Sequence, residues 1–406
     1  MFALKPDPVR YKGKTIMVVG AGRIQEPAIR IAKSLGIKVV AVDYDDGAPG
    51  LKWADYPLLI STTDVDACID AGRVYRIDGV MTAGSDRSTR TVAAVAAALN
   101  LPGIPVEVAQ NATNKLAIRK ALAACQVPSP RFVTCRNQAE AVKGLKTLGL
   151  PVVIKPPDNN SSLGVSVVRQ ESELEKALDW AARFSNSPTL LLEEFIPGDE
   201  VGIQAFVING EVKMAAISSR KVTPPPFCSS IITTVPALIS SDTGELIHRV
   251  VTGAIQAMGI NGGPVYVQLR LSREGPRVLE LSPRLGGGYT NSHLVPLALG
   301  INPIQAAIDL CLDYSPNLSP QYHRGASRRY IILPPGTVQQ VPPLEQFNCP
   351  GLVEMGLFIK PGDIIPEFHS AAVASGYVII AGETPQTAES SASRLCREIE
   401  SRIVVR

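Results

Sequence analysis

Residues 14–100 alternate buried-strand runs with amphipathic helices, and this rhythm constrains the fold more than any other feature of the chain. The run "KTIMVVGAG" ends in glycines, "EPAIRIAKSLG" has helical periodicity closed by Gly36, and "KVVAVDYD" is strand-like again. A helix is expected from about Asp64, a third strand in "IDGVMTAGSD" and an alanine-rich helix in "STRTVAAVAAALN". Apolar strands separated by helices predict a parallel sheet covered on both faces. Ligands of such sheets bind at the carboxyl ends of the strands. Gly20, Gly22, Asp43, Gly84, Ser85 and Asp86 fall at those ends.

The bulk properties exclude several classes. A chain of 406 residues suits two or three domains, and 45% hydrophobic with 19% charged residues is the balance of a soluble globular protein. A net charge of +3 is too small to point to nucleic acid or a membrane surface. No apolar run reaches membrane-spanning length, and "MFALKPDPVRYKGK" lacks the apolar block of a signal peptide. The seven cysteines are scattered and never form a C-x-x-C pair. Reduced thiols in a cytoplasmic protein are therefore expected, with neither disulfides nor a zinc site.

Beyond residue 100, "NKLAIRKALAACQVPSP" predicts a helix broken by Pro128 and Pro130, which mark a boundary. Residues 131–198 read as a small α/β piece: strand "PVVIKP", polar loop "PDNNSSLGVSVV", helix "ESELEKALDWAARF" and strand "TLLLEEFI". Residues 199–312 hold several strands, a helix near 243–258 and a helix in "NPIQAAIDLCL". From residue 323 the chain turns β-rich ("RRYIILPP", "SGYVIIAG") and closes on a helix.

Four stretches carry candidate chemistry. In "VGAGRIQEP", Gly20 and Gly22 suit a phosphate at a helix N-terminus, but Gln25 stands where a dinucleotide fingerprint needs its third glycine. A tight strand-to-helix turn would need the same two glycines. In "VVIKPPDNNSSLGVSVV", Lys155 ends a strand, and Ser161, Ser162 and Gly164 belong to a loop able to wrap phosphate oxygens. A solvated hairpin reads the same way. In "LLLEEFIPGDEVGI", an apolar strand runs into Glu193, Glu194, Phe195 and Ile196, with Glu200 beyond, which suits an adenine slot and a ribose carboxylate or, equally, a charged edge strand. Finally "GPVYVQLRLS" and "RVLELSPR" read as a hairpin that sets Gln268 beside Glu280. Amide and carboxylate oxygens suit Mg²⁺, which keeps water and phosphate in its other positions. Arg284 would reach a transferring phosphoryl group, and Gly286, Gly287 and Gly288 would let a ligand approach the backbone. Candidates to grip a substrate carboxylate are Arg220, Lys221, Arg270, Arg284 and His293.

Taken in order, the lysine, the glycine-containing loop, the adenine-type strand and the acid–x–Ser–Pro–Arg motif resemble the ATP-grasp superfamily over residues 14–406. The resemblance matches Lys115 to the first nucleotide-contacting lysine, "VVIKP" to the second, "SSLGV" to the phosphate loop and "EEFIPGDEVGI" to the hinge and ribose carboxylate. "LELSPRLGGG" matches the metal motif written E-x-N-P-R, with Ser282 in place of asparagine and Gln268 in place of the first acid. The tail is similar to the small C-terminal domain of biotin carboxylase-like and amino-acid-ligase-like members.

The fold so implied is α/β. A Rossmann-like, parallel pre-ATP-grasp domain spans 1–112. An ATP-grasp fold of two α+β subdomains spans 113–320, with a small lid at about 130–198. A β-rich α+β domain spans 321–406. The resemblance implies ATP as co-substrate, bound by Lys115, Lys155, Ser161, Ser162, Gly164, Glu193, Glu194, Phe195, Ile196 and Glu200. It implies Mg²⁺ or Mn²⁺ on Gln268, Glu280 and Ser282, chemistry by Lys155 and Arg284, and substrate contacts from Arg220, Arg270, Arg284, Gly287, Gly288 and His293. The expected reaction joins a small carboxylate, an amino acid by preference, to an amine through an acyl phosphate, releasing ADP and phosphate. Carboxylation or carbamoyl phosphate synthesis through carboxyphosphate is the alternative. The "GAGRIQ" turn leaves a dehydrogenase as a reading of another class, and Ser282 a non-catalytic nucleotide binder. Small molecules are the expected partners, with no nucleic acid and no membrane. Homodimers are common among similar proteins, although no stripe in this chain marks an interface.

Overall fold

The structure is a computed structural model that describes residues 9–159 and 163–406. Its first unit comprises β1 (Thr15–Val19), α1 (Glu26–Ser34), β2 (Lys38–Asp43), β3 (Tyr56–Leu59), α2 (Val65–Val74), β4 (Gly79–Met81), α3 (Asp86–Ala98) and α4 (Val106–Asn111). The strands form the expected parallel sheet, in the order β3-β2-β1-β4. Every residue of β1 and β4 is buried, as helices on both faces require. The strand in "IDGVMTAGSD" is the fourth, not the third, because β3 escaped the sequence pattern. It is four residues long, contains Pro57 and alternates half-buried with exposed positions, as only an edge strand can. Ser85 caps α3 by accepting from the Ser88 N–H, which fixes Asp86 in the first helical turn at the carboxyl end of β4.

After α5 (Lys115–Ala124) comes a small unit of β5 (Phe132–Cys135), α6 (Gln138–Leu148), β6 (Val152–Lys155), β7 (Ser166–Val168), α7 (Leu174–Arg183) and β8 (Leu190–Glu194). Its antiparallel sheet runs β5-β8-β6-β7, and α6 and α7 pack Ala141, Leu145, Leu174 and Ala181 against it. The short β5 and the helix α6 were not anticipated. Gly144 interrupts the apolar stripe of α6, and a Cβ there would meet Val133 at 2.8 Å.

The rest of the chain builds one eight-stranded sheet and a separate three-stranded one. It comprises β9 (Asp199–Ile208), β10 (Glu211–Val222), β11 (Ser230–Val235), α8 (Ser241–Ala257), β12 (Gly263–Ser272) and β13 (Gly275–Ser282). There follow α9 (Val295–Leu299), α10 (Pro303–Cys311), β14 (Gly325–Ile331), β15 (Gly336–Gln340), β16 (Leu352–Leu357), β17 (Ile364–Ile365), β18 (Gly376–Gly382), α11 (Pro385–Arg402) and β19 (Val404–Val405). Eight strands run in the order β13-β12-β9-β10-β11-β14-β18-β16, so pairing of β11 with β14 carries the sheet across residue 320. Helix α8 covers the β9–β12–β13 end with Ile247, Val251 and Ile255, and α5 joins the same core through Ile118 and Leu122. Among the described residues no single helix is long and apolar enough to cross a membrane.

Gly198 sets the angle between β8 and β9. Its φ is +130°, and a Cβ there would lie 2.0 Å from the Leu271 carbonyl oxygen on β12. Gly198→Ala should therefore destabilise the fold by about 1–3 kcal/mol, measured by denaturant unfolding. An unchanged midpoint would contradict the β9–β12 packing.

Candidate active site

The hairpin of β12 and β13 pairs Gln268 directly with Glu280, the juxtaposition that the sequence predicts. Opposite it, α5 begins under the cap of Asn114, whose side chain accepts from the Leu116 and Ala117 N–H groups. Lys115 in that first turn lies 3.4 Å from Glu280 Oε1 and also donates to the Asn159 carbonyl. The two ends of the site are thus a carboxylate on a strand and an ammonium on a helix, fixed by different elements.

Lys155 ends β6, and its Nζ is 2.6 Å from Glu193 Oε2. Glu193 is itself held by Arg119, through Nε at 2.6 Å and Nη2 at 3.2 Å, while Nη2 also donates to the Leu279 carbonyl at 2.6 Å. All three side chains are buried. Burial alone would raise the Glu193 carboxyl, but Arg119 and Lys155 together hold it below the usual range. Because Arg119 already neutralises that carboxylate, Lys155 is left with the cost of burial and is pushed down to about 8. Glu193 therefore acts from within the protein, as the anchor of Lys155. Glu194 turns outward to Arg131, 2.7 Å from its Nε.

Between the small unit and the large sheet lies a cleft enclosing about 830 Å³, including space open at its mouth. Val153, Val167, Ile196, Phe227 and Leu279 give it an apolar wall; Lys115, Lys155, Gln268 and Glu280 give it a charged one. Size and lining suit a nucleotide, with the base on the apolar side and phosphates on the charged side. Phe195 and Ile196 line it at the end of β8. Gly164, at φ +76°, packs against Pro156 nearby. Ser161 and Ser162 lie outside the described residues.

Several predicted contacts are turned inward. Glu200 is buried and accepts from Arg220 Nε at 2.8 Å, Arg270 Nη2 at 3.1 Å and Gln268 Nε2 at 2.6 Å. Arg220 and Arg270 thus meet a carboxylate of the protein itself, and Lys221 pairs with Glu389. With its amide nitrogen given to Glu200, Gln268 has its carbonyl oxygen left as a ligand atom. That oxygen and the Glu280 carboxylate are hard donors of the kind Mg²⁺ takes, while no trio of His, Cys, Asp or Glu among the described residues forms a closed metal cage. The donor set fits a divalent ion that draws its remaining ligands from phosphate and water. Ser282 is buried. Arg284 Nε donates to Asp86, at 2.7 Å. His293 has Nδ1 2.8 Å from Ser292 Oγ and Nε2 3.2 Å from Glu354.

At the glycine run, Gly286 donates to Gln204 Oε1 at 2.9 Å, and Gly287 abuts Gly84. Gly288, at φ +68°, faces Arg328, a residue that the sequence reading missed. Arg328 is 2% exposed, stacks on Tyr330 with Cζ 3.7 Å from the ring centre, and gives one hydrogen bond, Nη2 to Thr233 Oγ1 at 2.7 Å. Its Nε and Nη1 find no acceptor among the described residues. Burial pushes this guanidinium below the usual arginine range, so an anion beside it would be strongly held. The signal in the sequence was "SRRY", where strand alternation must turn one arginine inward. The turn "GAGRIQ" offers no rival site: Gln25 folds over Gly20 and Gly22, donates to the Ala83 carbonyl, and fills the cradle a dinucleotide would need.

Residues 148–292 match the family described as ATP-grasp domain, and residues 329–404 match L-amino acid ligase C-terminal domain 2. A formate-dependent phosphoribosylglycinamide formyltransferase of Parasynechococcus marenigrum is 30% identical over 285 residues, 67% of this chain and 70% of that protein. An uncharacterized protein of Sinorhizobium fredii is 29% identical over 351 residues, 84% of this chain and 72% of its own length. The crystal structure of L-amino acid ligase from Bacillus licheniformis superposes with a TM-score of 0.83 at 25% identity, covering 97% of this chain and 99% of that one.

The depressed Lys155 gives the site a proton signature. At pH 8 the free ammonium is about half deprotonated, and a polyphosphate beside it restores the charged form. Binding of ATP at pH 8 should then take up roughly half a proton, read by calorimetry in buffers of different ionisation enthalpy. The uptake should vanish in Lys155→Met; equal uptake in both proteins would contradict the assignment.

Proposed function

We propose a function from one premise: the chain belongs to the ATP-grasp family. It is an ATP-dependent carboxylate–amine ligase that releases ADP. In our reading the acid is an amino acid or similar small carboxylate. One of its oxygens attacks the γ-phosphorus of ATP, and ADP leaves. The amine then attacks the acyl carbon, phosphate departs with the electrons of the C–O bond, and the nitrogen loses a proton as the C–N bond is completed.

Two anions must be held together for this reaction, so cations dominate the site. Lys115 and Lys155 take the phosphates of ATP, and Glu280 with Gln268 would hold a divalent ion, which neutralises phosphate charge when bound. Arg284 meets the transferred phosphoryl group. The observation that carries the reading is Arg328: a buried guanidinium with two free donors, beside the glycine run that follows Arg284, supports a receptor for a carboxylate. The match to an L-amino acid ligase C-terminal domain begins at residue 329, directly after Arg328, and supports an amino acid as the bound species.

The likeness to a formate-dependent formyltransferase favours a second reading, in which the activated acid is formate. Bicarbonate, activated as carboxyphosphate, is the related case. The choice rests on what stimulates ADP release: a mixture of amino acids on our reading, formate or bicarbonate on the others. Product mass from the responding pairs identifies the bond formed. Glu280→Ala and Lys155→Ala should each remain folded and lower ADP release by about two to three orders of magnitude. Turnover within a few-fold of the unaltered protein in either variant would remove these residues from the mechanism.

A further inference from the structure

We propose that Asp86 is a positioning residue for Arg284. The inference rests on the role given to Arg284 above. Asp86 belongs to the N-terminal unit, 198 residues away in sequence, yet its Oδ1 accepts from Arg284 Nε at 2.7 Å. Within the acid–x–Ser–Pro–Arg motif, Glu280 faces Lys115 while Arg284 faces Asp86.

The carboxylate is held charged. Burial would raise it, but the Arg284 guanidinium, the Ser282 hydroxyl and Lys115 together keep it below the ordinary aspartate range. Its backbone is equally constrained. Ala83 forms a parallel bridge with Leu285, and the Gly84 N–H donates to the Leu285 carbonyl at 3.1 Å. Gly84 has φ +67° and no room for a side chain, since a Cβ would lie 2.5 Å from Ile24. The segment carrying Asp86 and the segment carrying Arg284 are therefore stitched together next to the ion pair.

The consequence is geometric. Arg284 Nε is given to Asp86 and Nη1 donates to the Leu285 carbonyl at 3.0 Å, which leaves Nη2 with no acceptor among the described residues. A guanidinium fixed by two of its edges presents the third in one orientation. Asp86 thereby brings the N-terminal unit into the reaction without touching the substrate.

The test is Asp86→Asn in the full-length protein, with Arg284→Ala as reference. Loss of the charged partner should lower kcat about 10- to 100-fold, while KM for ATP stays within about twofold because Lys115 and Lys155 are untouched. Asp86→Glu, which keeps charge but shifts the carboxylate, should show the same split if Asp86→Asn folds poorly. A readout independent of turnover is the side-chain ¹⁵N–¹H signal of Arg284 Nε, identified by its disappearance in Arg284→Lys. It should be protected from exchange in the unaltered protein and lose that protection in Asp86→Asn. Normal kcat with an unmoved resonance, or an activity loss that only tracks a lowered Tm, would overturn the proposal. If Arg284→Ala itself keeps full turnover, the failure belongs to the functional reading instead.

Discussion

Burying a carboxylate is costly unless cations and hydrogen bonds surround it, and the arrangement of this site follows from how Glu193 meets that demand. Arg119 reaches it from α5, Lys155 from β6, and the same arginine continues to the Leu279 carbonyl on β13. These bonds hold the three elements in a single relative position. Lys115 and Arg119 are four residues apart on α5 and share a helix face. Fixing Arg119 therefore fixes Lys115, and Leu279 fixes the neighbouring Glu280. A buried charge cluster, to which Lys155 itself belongs, thus determines where the residues facing the cleft can stand.

The remaining charges divide into two kinds. Arg220 and Arg270 share Glu200, and Arg284 pairs with Asp86, so their positions are set before any ligand arrives. Arg328 has no carboxylate partner among the described residues, and Lys155 shares Glu193 with Arg119. Positive charge therefore exceeds the paired negative charge beside the cleft phosphates would occupy and beside the glycine run. In a poorly solvated site such a field favours groups whose negative charge grows during reaction.

Much of this was legible locally. Alternating strands and helices gave the parallel sheet, and the period of two in "GPVYVQLRLS" and "RVLELSPR" gave the Gln268–Glu280 pair, because a short hairpin fixes register within a few residues. Lys155 was recognisable as the end of a strand. What sequence hid was long-range pairing. Nothing near Arg119 announces Glu193, 74 residues on, and nothing near Asp86 announces Arg284. For the same reason the two arginines and the amide that surround Glu200 were not legible. The strand β3 and helix α6 were lost for a different reason, since Pro57 and Gly144 interrupt the patterns that reveal such elements.

The central physical claim is that polyphosphate charge is neutralised jointly by the two lysines and by an ion on the β12–β13 hairpin. A crystal structure with a non-hydrolysable ATP analogue and Mg²⁺ examines it most directly. The account predicts phosphate oxygens within hydrogen-bonding distance of Lys115 and Lys155, and an ion bridging Glu280 and Gln268 to the phosphates. A nucleotide bound elsewhere, or bound here with Glu280 and Gln268 turned away from its phosphates, would contradict it.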